Sequence, residues 1–333
     1  MVKDSFVKDM IWITWEYQVR NRNLSKAINV PLYEIIHETK TTTGRYIKSS
    51  IATLQLIKRQ RPQVVFHQSP SIVLAFLLAL LKPFFGYKIV VDVHNAGIKP
   101  AEGKYGLLNA FAKFSLLRAN LLIIHNEAVR KLIPCDDSRI FILPDPLPST
   151  CPMDKTTINK NEFVNILFIC RWSADEPYEE VFKAARLLFD IKPNVRILIT
   201  GKIPKHIQTL ELPENIQLLG FVETEEYNRR LVTAHGALAL TTRTDSLNCA
   251  GYEAMACEVP MILSDSQVLR DFFSRGYIYT QNTATDIASN IQRLIAQRDE
   301  LKEEIGKQKR IYSNEYTAKI ENLKKHVNAL IDF

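Results

Sequence analysis

Two carboxylates, Asp245 and Glu253, stand eight positions apart on either side of a predicted strand-to-helix turn. The apolar run 237–240 predicts a buried strand, and a helical pattern begins shortly after it. Backbone N–H groups at a helix start attract anions, so the loop between these elements can hold a diphosphate. Carboxylates accept hydrogen bonds from sugar and ribose hydroxyls. This spacing therefore favours a nucleotide-sugar ligand, with the diphosphate on Ser246, Leu247, Asn248 and Cys249.

The elements that must position this loop form an α/β pattern that occurs twice. Short apolar, β-branched runs alternate with helical stretches, which predicts parallel sheets covered by helices on both faces. A proline-rich segment, 144–161, separates the halves because it can continue neither element type. We therefore expect two Rossmann-like domains facing across a ligand-binding cleft. The predicted boundaries are 1–150, 160–312 and a C-terminal helix, 313–333, that packs back on the first domain.

The individual elements follow from the periodicity of the apolar residues. In the first half, the predicted strands are 11–15, 32–36, 64–67, 88–93, 121–125 and 140–144, and the predicted helices are 19–28, 45–59, 72–81 and 105–118. In the second half, the predicted strands are 165–170, 196–201, 216–221, 237–242 and 260–264, the predicted helices are 178–189, 224–232 and 250–257, and the segment after 283 is mostly helical.

Several classes of site lack their sequence signature. Neither half carries a G-x-G-x-x-G fingerprint after its first strand or a Walker A motif, which argues against dinucleotide and P-loop chemistry. No Asp-x-Asp pair follows a predicted strand, and the five cysteines form no C-x-x-C pair, so we expect no metal and no other cofactor. The N-terminus does not resemble a signal peptide, and the apolar run 72–81 is about half the length that a bilayer core requires. We therefore expect a cytoplasmic location.

The excess of positive over negative charge is confined to the first half of the chain. Residues 1–155 contain 21 Lys and Arg against 12 Asp and Glu, whereas residues 156–333 contain 22 against 24. Such an excess suits an anionic partner of the first domain, such as a phospholipid surface or a lipid phosphate. Nucleic acid is the rival explanation, but no nucleic-acid motif accompanies the charge. A basic, solvated face without a partner is the other alternative.

The segment from Asp245 to Pro260 resembles the C-terminal signature of GT-B glycosyltransferases, especially glycosyltransferase family 4 (glycosyl transferases group 1). That signature has two acidic residues with seven between them, followed by Ala-Met-Ala, a small residue and Pro. The resemblance implies that Glu253 binds the ribose hydroxyls and that Asp245 lies near the transferred sugar. This sequence departs from the signature in two ways: the first acid is Asp rather than Glu, and the usual glycines are replaced by Ser246, Leu247 and Asn248.

Other segments extend the resemblance over most of the chain. His94, after the predicted strand 88–93, matches a histidine that donates to the donor sugar. Arg171, after 165–170, matches an arginine that pairs with the diphosphate. The usual lysine four residues on is replaced by Asp175. Either Arg243 or Lys202 supplies the missing charge, or the phosphates rely on Arg171 and the helix N-terminus. In Gly220-Phe221-Val222, the resemblance implies that Phe221 and Val222 contact the nucleotide base.

The first strand-to-helix turn carries Arg20 and Arg22, where the family has a glycine-rich loop. These arginines could bind an acceptor phosphate, and a solvated helix start is the alternative. His125 ends the predicted strand 121–125 and has a weaker claim to function.

The resemblance implies a retaining hexosyltransferase that moves sugar from a nucleotide-sugar to a glycan or lipid-linked acceptor. It implies a role in surface polysaccharide or glycoconjugate assembly, without metal, in the cytoplasm or on the inner face of the membrane. Three alternatives stay open: a nucleotide-sugar 2-epimerase of the same fold, a catalytically silent sugar-nucleotide- or partner-binding module, and an inverting transfer of the β-mannosyl kind. The base, sugar, acceptor, linkage and oligomeric state leave no clear trace in the sequence.

Overall fold

The computed structural model describes residues 9–331 apart from 40, 70, 99, 134 and 149–162. The chain divides into two compact units. Unit 1 contains Met1–Pro146 and Glu315–Phe333, and unit 2 is Leu147–Asn314. Most of the predicted proline-rich linker, residue 160 as the predicted start of the second domain, and Cys151 fall outside the described residues.

Unit 1 is built on a six-stranded parallel sheet in the order β2-β1-β3-β4-β5-β6. Its strands are short and rich in Ile and Val, and most are buried along their whole length, as expected for a sheet covered on both faces. The strands are β1 (Met10–Thr14), β2 (Leu32–Glu34), β3 (Val64–Ser69), β4 (Lys88–Val93), β5 (Leu121–Ile124) and β6 (Ile140–Ile142). The helices are α1 (Val19–Ala27), α2 (Thr42–Gln60), α3 (Ile72–Phe85), α4 (Asn95–Ile98), α5 (Gly106–Arg118) and α6 (Glu127–Arg130).

Unit 2 is also built on a six-stranded parallel sheet, in the order β12-β11-β10-β7-β8-β9. The strands are β7 (Val164–Phe168), β8 (Val195–Thr200), β9 (Ile216–Gly220), β10 (Gly236–Ala239), β11 (Met261–Ser264) and β12 (Tyr277–Thr280). The helices are α7 (Tyr178–Ile191), α8 (Lys205–Gln208), α9 (Thr224–Thr233), α10 (Cys249–Cys257), α11 (Gln267–Phe272), α12 (Ala284–Ala296) and α13 (Arg298–Ala329).

The end of α13 belongs to unit 1. Leu323 and Val327 are buried in the same apolar cluster as Trp12 and Phe66 of the sheet. The Trp12 and Phe66 rings stack with centroids 5.3 Å apart. The last turns of the chain therefore complete one face of the unit 1 core, and each buried Leu or Val there adds about 1.5–3 kcal/mol by the hydrophobic effect.

The predicted α/β class and parallel sheets are confirmed, and most predicted elements end within a few residues of the observed ones. The predicted helix 72–81 extends to Phe85 and ends at Gly86, whose φ of 74° suits glycine. Strand β12 and helix α11 were missed because 265–282 shows little periodicity in its apolar residues. Among the described residues, no helix is long and apolar enough to cross a membrane.

Candidate functional site

The loops after β7 and β10 lie at the same edge of the unit 2 sheet. Strand β10 pairs in parallel with β7, with Ala237 opposite Leu167, so the carboxyl ends of the two strands are neighbours. Arg171 follows β7, and the loop that contains Asp245 follows β10. Open α/β sheets bind their ligands at this edge. The fold therefore places the two predicted donor-binding segments side by side.

Helix α10 begins where the sequence predicted. The side chain of Asn248 is the N-cap, and its Oδ1 accepts from the Gly251 amide at 2.9 Å. This contact satisfies one of the free N–H groups of the first turn and fixes the direction in which the helix starts. Cys249 is exposed, and Ser246 and Leu247 are partly exposed. The helix therefore presents its positive end at an accessible loop.

Glycine at 251 allows α10 to pack closely. A side-chain carbon added at Gly251 would come within 2.4 Å of the Phe273 ring, and the carbonyl of Gly251 accepts from the Tyr277 hydroxyl at 2.8 Å. Because larger residues would push the helix away, the position of the α10 start depends on this glycine.

Glu253 is the fifth residue of α10, just over one turn in, and is partly exposed. Its Oε2 accepts a hydrogen bond from the Tyr227 hydroxyl of α9. Burial and the neighbouring carboxylate raise the pKa of Tyr227, so the phenol stays a donor at neutral pH. Tyr227 thus holds the orientation of the acid that the resemblance assigns to ribose.

Asp245 lies on the exposed loop before α10. Its Oδ1 accepts from the Ser246 hydroxyl at 3.2 Å, a contact between adjacent residues. The carboxylate is therefore open to solvent and to a ligand.

Arg171 and Arg243 differ in whether their guanidinium groups are paired with a carboxylate. The exposed Arg171 side chain has no hydrogen bond or ion pair with any residue that the structure describes. Arg243 Nε lies 3.5 Å from Asp175 Oδ2, and its side chain is 58% exposed. Lys202, the other proposed source of charge, is exposed after β8. Arg171 is thus available to an anion, whereas Arg243 already has a partner.

Asp175 joins the loops after β7 and β10. Its Oδ2 accepts from the Thr241 hydroxyl at 2.8 Å, and its carbonyl accepts from the Thr242 amide at 2.7 Å. Partial burial would raise the pKa of this carboxyl, but the Thr241 hydrogen bond and the charge of Arg243 hold it below its usual value. The acid that replaces the family's lysine therefore braces the site.

Phe221 and Val222 follow β9 at the edge of the sheet. The Phe221 side chain is 73% exposed and Val222 is partly exposed, so Phe221 is not a core residue. Gly220 has a φ of 73°, and its carbonyl accepts from the Gly201 amide at 2.9 Å. An exposed ring on a fixed turn can stack on a planar base.

In unit 1, His94 directly follows β4 and is exposed. Its amide donates to the carbonyl of Ser69 at 3.2 Å, and this hydrogen bond holds the backbone of His94 against the end of β3. The rings of His94 and His125 meet edge to face with centroids 5.7 Å apart. Burial, followed by the charge of Arg20, lowers the pKa of His125, so this ring is neutral at pH 7. The two histidines noted in the sequence therefore form one pair.

Arg20 lies in a buried ion-pair network beside this pair. Its Nε and Nη2 donate to the Asp92 carboxylate at 2.9–3.1 Å, and its Nη1 donates to Asp145. The carbonyls of Leu143 and Pro144 accept from Nη2 and Nη1 at 3.2 and 3.4 Å. All five N–H donors of the guanidinium are thereby used within unit 1.

Arg22 is also paired. Its Nε and Nη2 donate to the carboxylate of Glu34 at 2.8 and 2.9 Å, and its guanidinium lies 5.1 Å from the Tyr17 ring centroid. The acceptor-phosphate role proposed for Arg20 and Arg22 stays a prediction. A phosphate would have to compete with Glu34 for Arg22 and, for Arg20, with the buried Asp92 and the partly exposed Asp145.

The sequence reasoning missed several residues that support the unit 2 site. The Ser264 hydroxyl accepts from the Thr241 amide and donates to Asn282, both at 2.8 Å, and Asn282 donates to the carbonyl of Thr241 at 3.0 Å. Polar residues at the end of β11 and shortly after β12 were the available signal. Tyr227 gave no local signal because it lies 26 positions from Glu253. Among the described residues, no group of three or more His, Cys, Asp or Glu could hold a metal.

Most of the second half of the chain matches a known protein family. Residues 153–312 match the family described as Glycosyl transferases group 1. The resemblance that the 245–260 segment indicated is therefore confirmed for this region. Comparison with curated proteins finds no match.

Solved structures with the same fold cover nearly the whole chain. Sucrose-phosphate synthase from Thermosynechococcus elongatus has a TM-score of 0.72 at 14% identity, over 97% of this chain and 99% of that one. HepE from Anabaena in complex with UDP and glucose has a TM-score of 0.69 at 11% identity, over 96% and 99%. The lipopolysaccharide outer core galactosyltransferase WaaB has a TM-score of 0.62 at 13% identity, over 96% and 99%. This similarity shows the fold, which is the GT-B fold of glycosyltransferases.

Proposed function

We propose that this protein transfers a sugar, in the first instance a hexose, from a nucleoside-diphosphate sugar to a glycan or lipid-linked acceptor. The reaction would retain the anomeric configuration and serve surface polysaccharide or glycoconjugate assembly. The observation that carries the proposal is the strand-end site of unit 2. There the unpaired Arg171 and the Asn248-capped start of α10 follow adjacent strands, with Glu253 one turn into the helix. HepE, which has the same fold, binds UDP and glucose.

Each site residue has a role that follows from its chemistry. Arg171 and the amides at the α10 start would stabilise the negative charge of the diphosphate, as fixed donors do at a developing anion. Glu253, held by Tyr227, would accept from the ribose hydroxyls. Phe221 and Val222 would contact the base, and His94 and Asp245 would contact the donor sugar.

The transfer exchanges one bond to the anomeric carbon for another. The bond between that carbon and the diphosphate oxygen breaks, and its electron pair leaves with the nucleoside diphosphate. A bond to an acceptor hydroxyl oxygen forms, and the proton of that hydroxyl is released to the departing phosphate or to solvent. Positioned hydrogen-bond donors can supply this chemistry, so we propose that no divalent cation is needed.

The first experiment is a thermal-shift screen with UDP-, GDP-, ADP- and dTDP-sugars, because a bound ligand raises the melting temperature by mass action. The sugar that stabilises the protein is then incubated with and without acceptor extracts, in the presence and absence of EDTA. Acceptor-dependent release of the nucleoside diphosphate that EDTA leaves unchanged supports the proposal. An altered sugar without acceptor indicates the epimerase, and binding without any turnover indicates the silent module. Product NMR decides between retention and inversion.

We also propose peripheral contact between unit 1 and an anionic membrane. On α3, Phe84 is 81% exposed and Leu80 is 45% exposed. The pKa of Lys82, which lies between them, is lowered by partial burial and by the charges of Lys88, Arg118 and Arg139, so four cations share this region. A cationic surface with an exposed aromatic ring suits anionic headgroups. Co-sedimentation with vesicles should increase with anionic lipid content and decrease with salt. Co-sedimentation that changes with neither would exclude this contact.

A further inference from the structure

The turn between β7 and α7 has the geometry of an anion site. Trp172 has a φ of 64°, in the left-handed region, between Arg171 and Ser173. A left-handed residue within a turn directs neighbouring backbone N–H groups toward one point, which creates a concavity for an anion. Here that point is Oε2 of Glu176, which accepts from the Arg171 amide at 2.9 Å and from the Ser173 amide at 3.0 Å. The chain therefore fills its own anion site with a carboxylate.

The surroundings hold the turn in this shape. Gly201 has a φ of 100°, and a side-chain carbon there would lie 2.1 Å from the carbonyl oxygen of Cys170, so the strand β8 end approaches the turn as only glycine allows. The Cys170 thiol donates to Glu176 at 3.5 Å. Asp175, the residue before Glu176, is bonded to the loop after β10 through Thr241. Because neighbours on both sides fix the turn, the concavity is preformed.

The same turn carries the unpaired guanidinium of Arg171. Under the proposed function, a diphosphate that pairs with Arg171 brings its oxygens close to the amides that Glu176 now occupies. Two anions in one concavity repel each other, and both require the same two N–H donors. The carboxylate and the phosphate therefore compete for these donors.

We propose that Glu176 is an internal substitute for phosphate that must leave the amides of Arg171 and Ser173 when a nucleoside diphosphate binds. In the ligand-free protein, Glu176 accepts the hydrogen bonds of these two amides. It lowers the affinity for the diphosphate part of the donor and leaves the affinity for the nucleoside unchanged. This inference rests on the proposed function and adds a residue that sets the affinity for diphosphate.

Glu176→Gln tests the inference because glutamine keeps an acceptor oxygen for the amides but removes the charge. Calorimetric titration of UDP, UMP and uridine, and of GDP, GMP and guanosine, separates the phosphate contribution from that of the base. We expect E176Q to bind the diphosphate roughly tenfold more tightly than wild type, the monophosphate with a smaller gain, and the nucleoside unchanged. Glu179→Gln, which removes an exposed charge from the first turn of α7, is the matched control and should bind all six ligands like wild type.

The outcomes separate the two proposals. If wild type binds none of UDP, GDP, ADP and dTDP, the proposed function and this inference both fail. If wild type binds one of them and E176Q binds it equally or more weakly, only the inference fails, because Glu176 is then a structural brace.

If E176Q does not fold, a measurement on the wild-type protein tests the same inference. The backbone amide resonances of Arg171 and Ser173 should shift when the bound nucleoside diphosphate is added and stay in place with the nucleoside alone. If the chemical shifts of these amides do not change when the diphosphate is added, Glu176 stays bonded to them and the inference is overturned.

Discussion

The hydroxyl of Tyr227, on α9, donates a hydrogen bond to Oε2 of Glu253, on α10. Burial and the Glu253 carboxylate together raise the pKa of Tyr227, so the donor keeps its proton over the working pH range of most proteins. The contact restricts a flexible acid to one orientation before any ligand arrives. Preorganisation of this kind lowers the entropy cost of binding.

Loss of this hydroxyl should weaken nucleotide binding without abolishing it. Tyr227→Phe removes one hydrogen bond to a charged group, which is worth about 1.5–3 kcal/mol, of which only the orienting part affects the ligand. We therefore expect about a threefold to tenfold weaker Kd for the nucleoside diphosphate, and a larger loss for Glu253→Ala. Titration calorimetry measures both. Equal affinity of Y227F and wild type for the nucleoside diphosphate would show that Tyr227 does not contribute to nucleotide binding.

His94 should affect transfer more than binding. It is exposed after β4 in unit 1, whereas the proposed diphosphate contacts all belong to unit 2. We expect His94→Ala to leave the Kd for the free nucleoside diphosphate within twofold of wild type and to lower kcat by about 100-fold or more, as loss of one donor at a reacting centre does. Equal kcat in H94A and wild type would contradict the assignment. His206→Ala, an exposed histidine of unit 2, is the control.

The buried pair of Arg20 and Asp92 should be important for stability. Asp92 is 1% exposed, and Arg20 and Gln68 both donate to its carboxylate. Asp92→Asn leaves a buried guanidinium without its main counter-charge, which typically costs about 3–5 kcal/mol. Asp145→Asn, at the 39% exposed partner of the same arginine, should cost less than half as much. Urea unfolding measures both, and equal costs would show that burial does not determine the effect.

His67 should make the protein less stable in mild acid. It lies on β3, is 1% exposed, and burial lowers its pKa to about 4. An unfolded histidine titrates near 6.5, so the unfolded chain takes up the proton first as the pH falls. The stability that the neutral ring contributes is present above pH 6.5 and is lost between about 6.5 and 4, by up to about 3 kcal/mol.

This pH dependence has a direct test in denaturant unfolding at pH 7 and pH 4.5. His67→Gln should reduce the decrease in the free energy of unfolding between these two values, because glutamine does not titrate. His206→Gln, at an exposed histidine, should leave the decrease unchanged. A decrease of the same size in H67Q and wild type would assign the effect to other groups.

The sequence predicted the parts of the protein that depend on local pattern. Apolar runs identified most strands, and the turn before α10 was recognisable because a helical pattern follows the apolar run 237–240 and two acids flank the loop at a fixed spacing. The contacts that hold the site were not predictable in this way. Tyr227 reaches Glu253, and Asn282 reaches Thr241, only after the sheet has formed. Such pairings depend on strand order, which a single sequence does not encode locally.

Arg20 shows the same limit for charge. Its position after the first strand allowed either a ligand phosphate or a solvated helix start, yet the fold surrounds it with Asp92 and Asp145 from positions 72 and 125 residues away. Glu176 shows the reverse case: an acid without a recognisable motif lies at the centre of a turn that the sequence singled out for Arg171. In both cases the charge of the residue was visible in the sequence, and its partner was not.

The most direct test of the central claim is the affinity of unit 2 for a nucleoside diphosphate through Arg171. Titration calorimetry compares wild type, Arg171→Ala and Arg186→Ala, which removes an exposed charge from α7 of the same unit. With the diphosphate selected by the thermal screen, we expect R171A to bind about 10- to 100-fold more weakly, and R186A to bind like wild type, because a charge-assisted contact contributes about 1.5–3 kcal/mol. The parent nucleoside should bind all three proteins equally. Diphosphate binding that is as tight in R171A as in wild type would contradict the account.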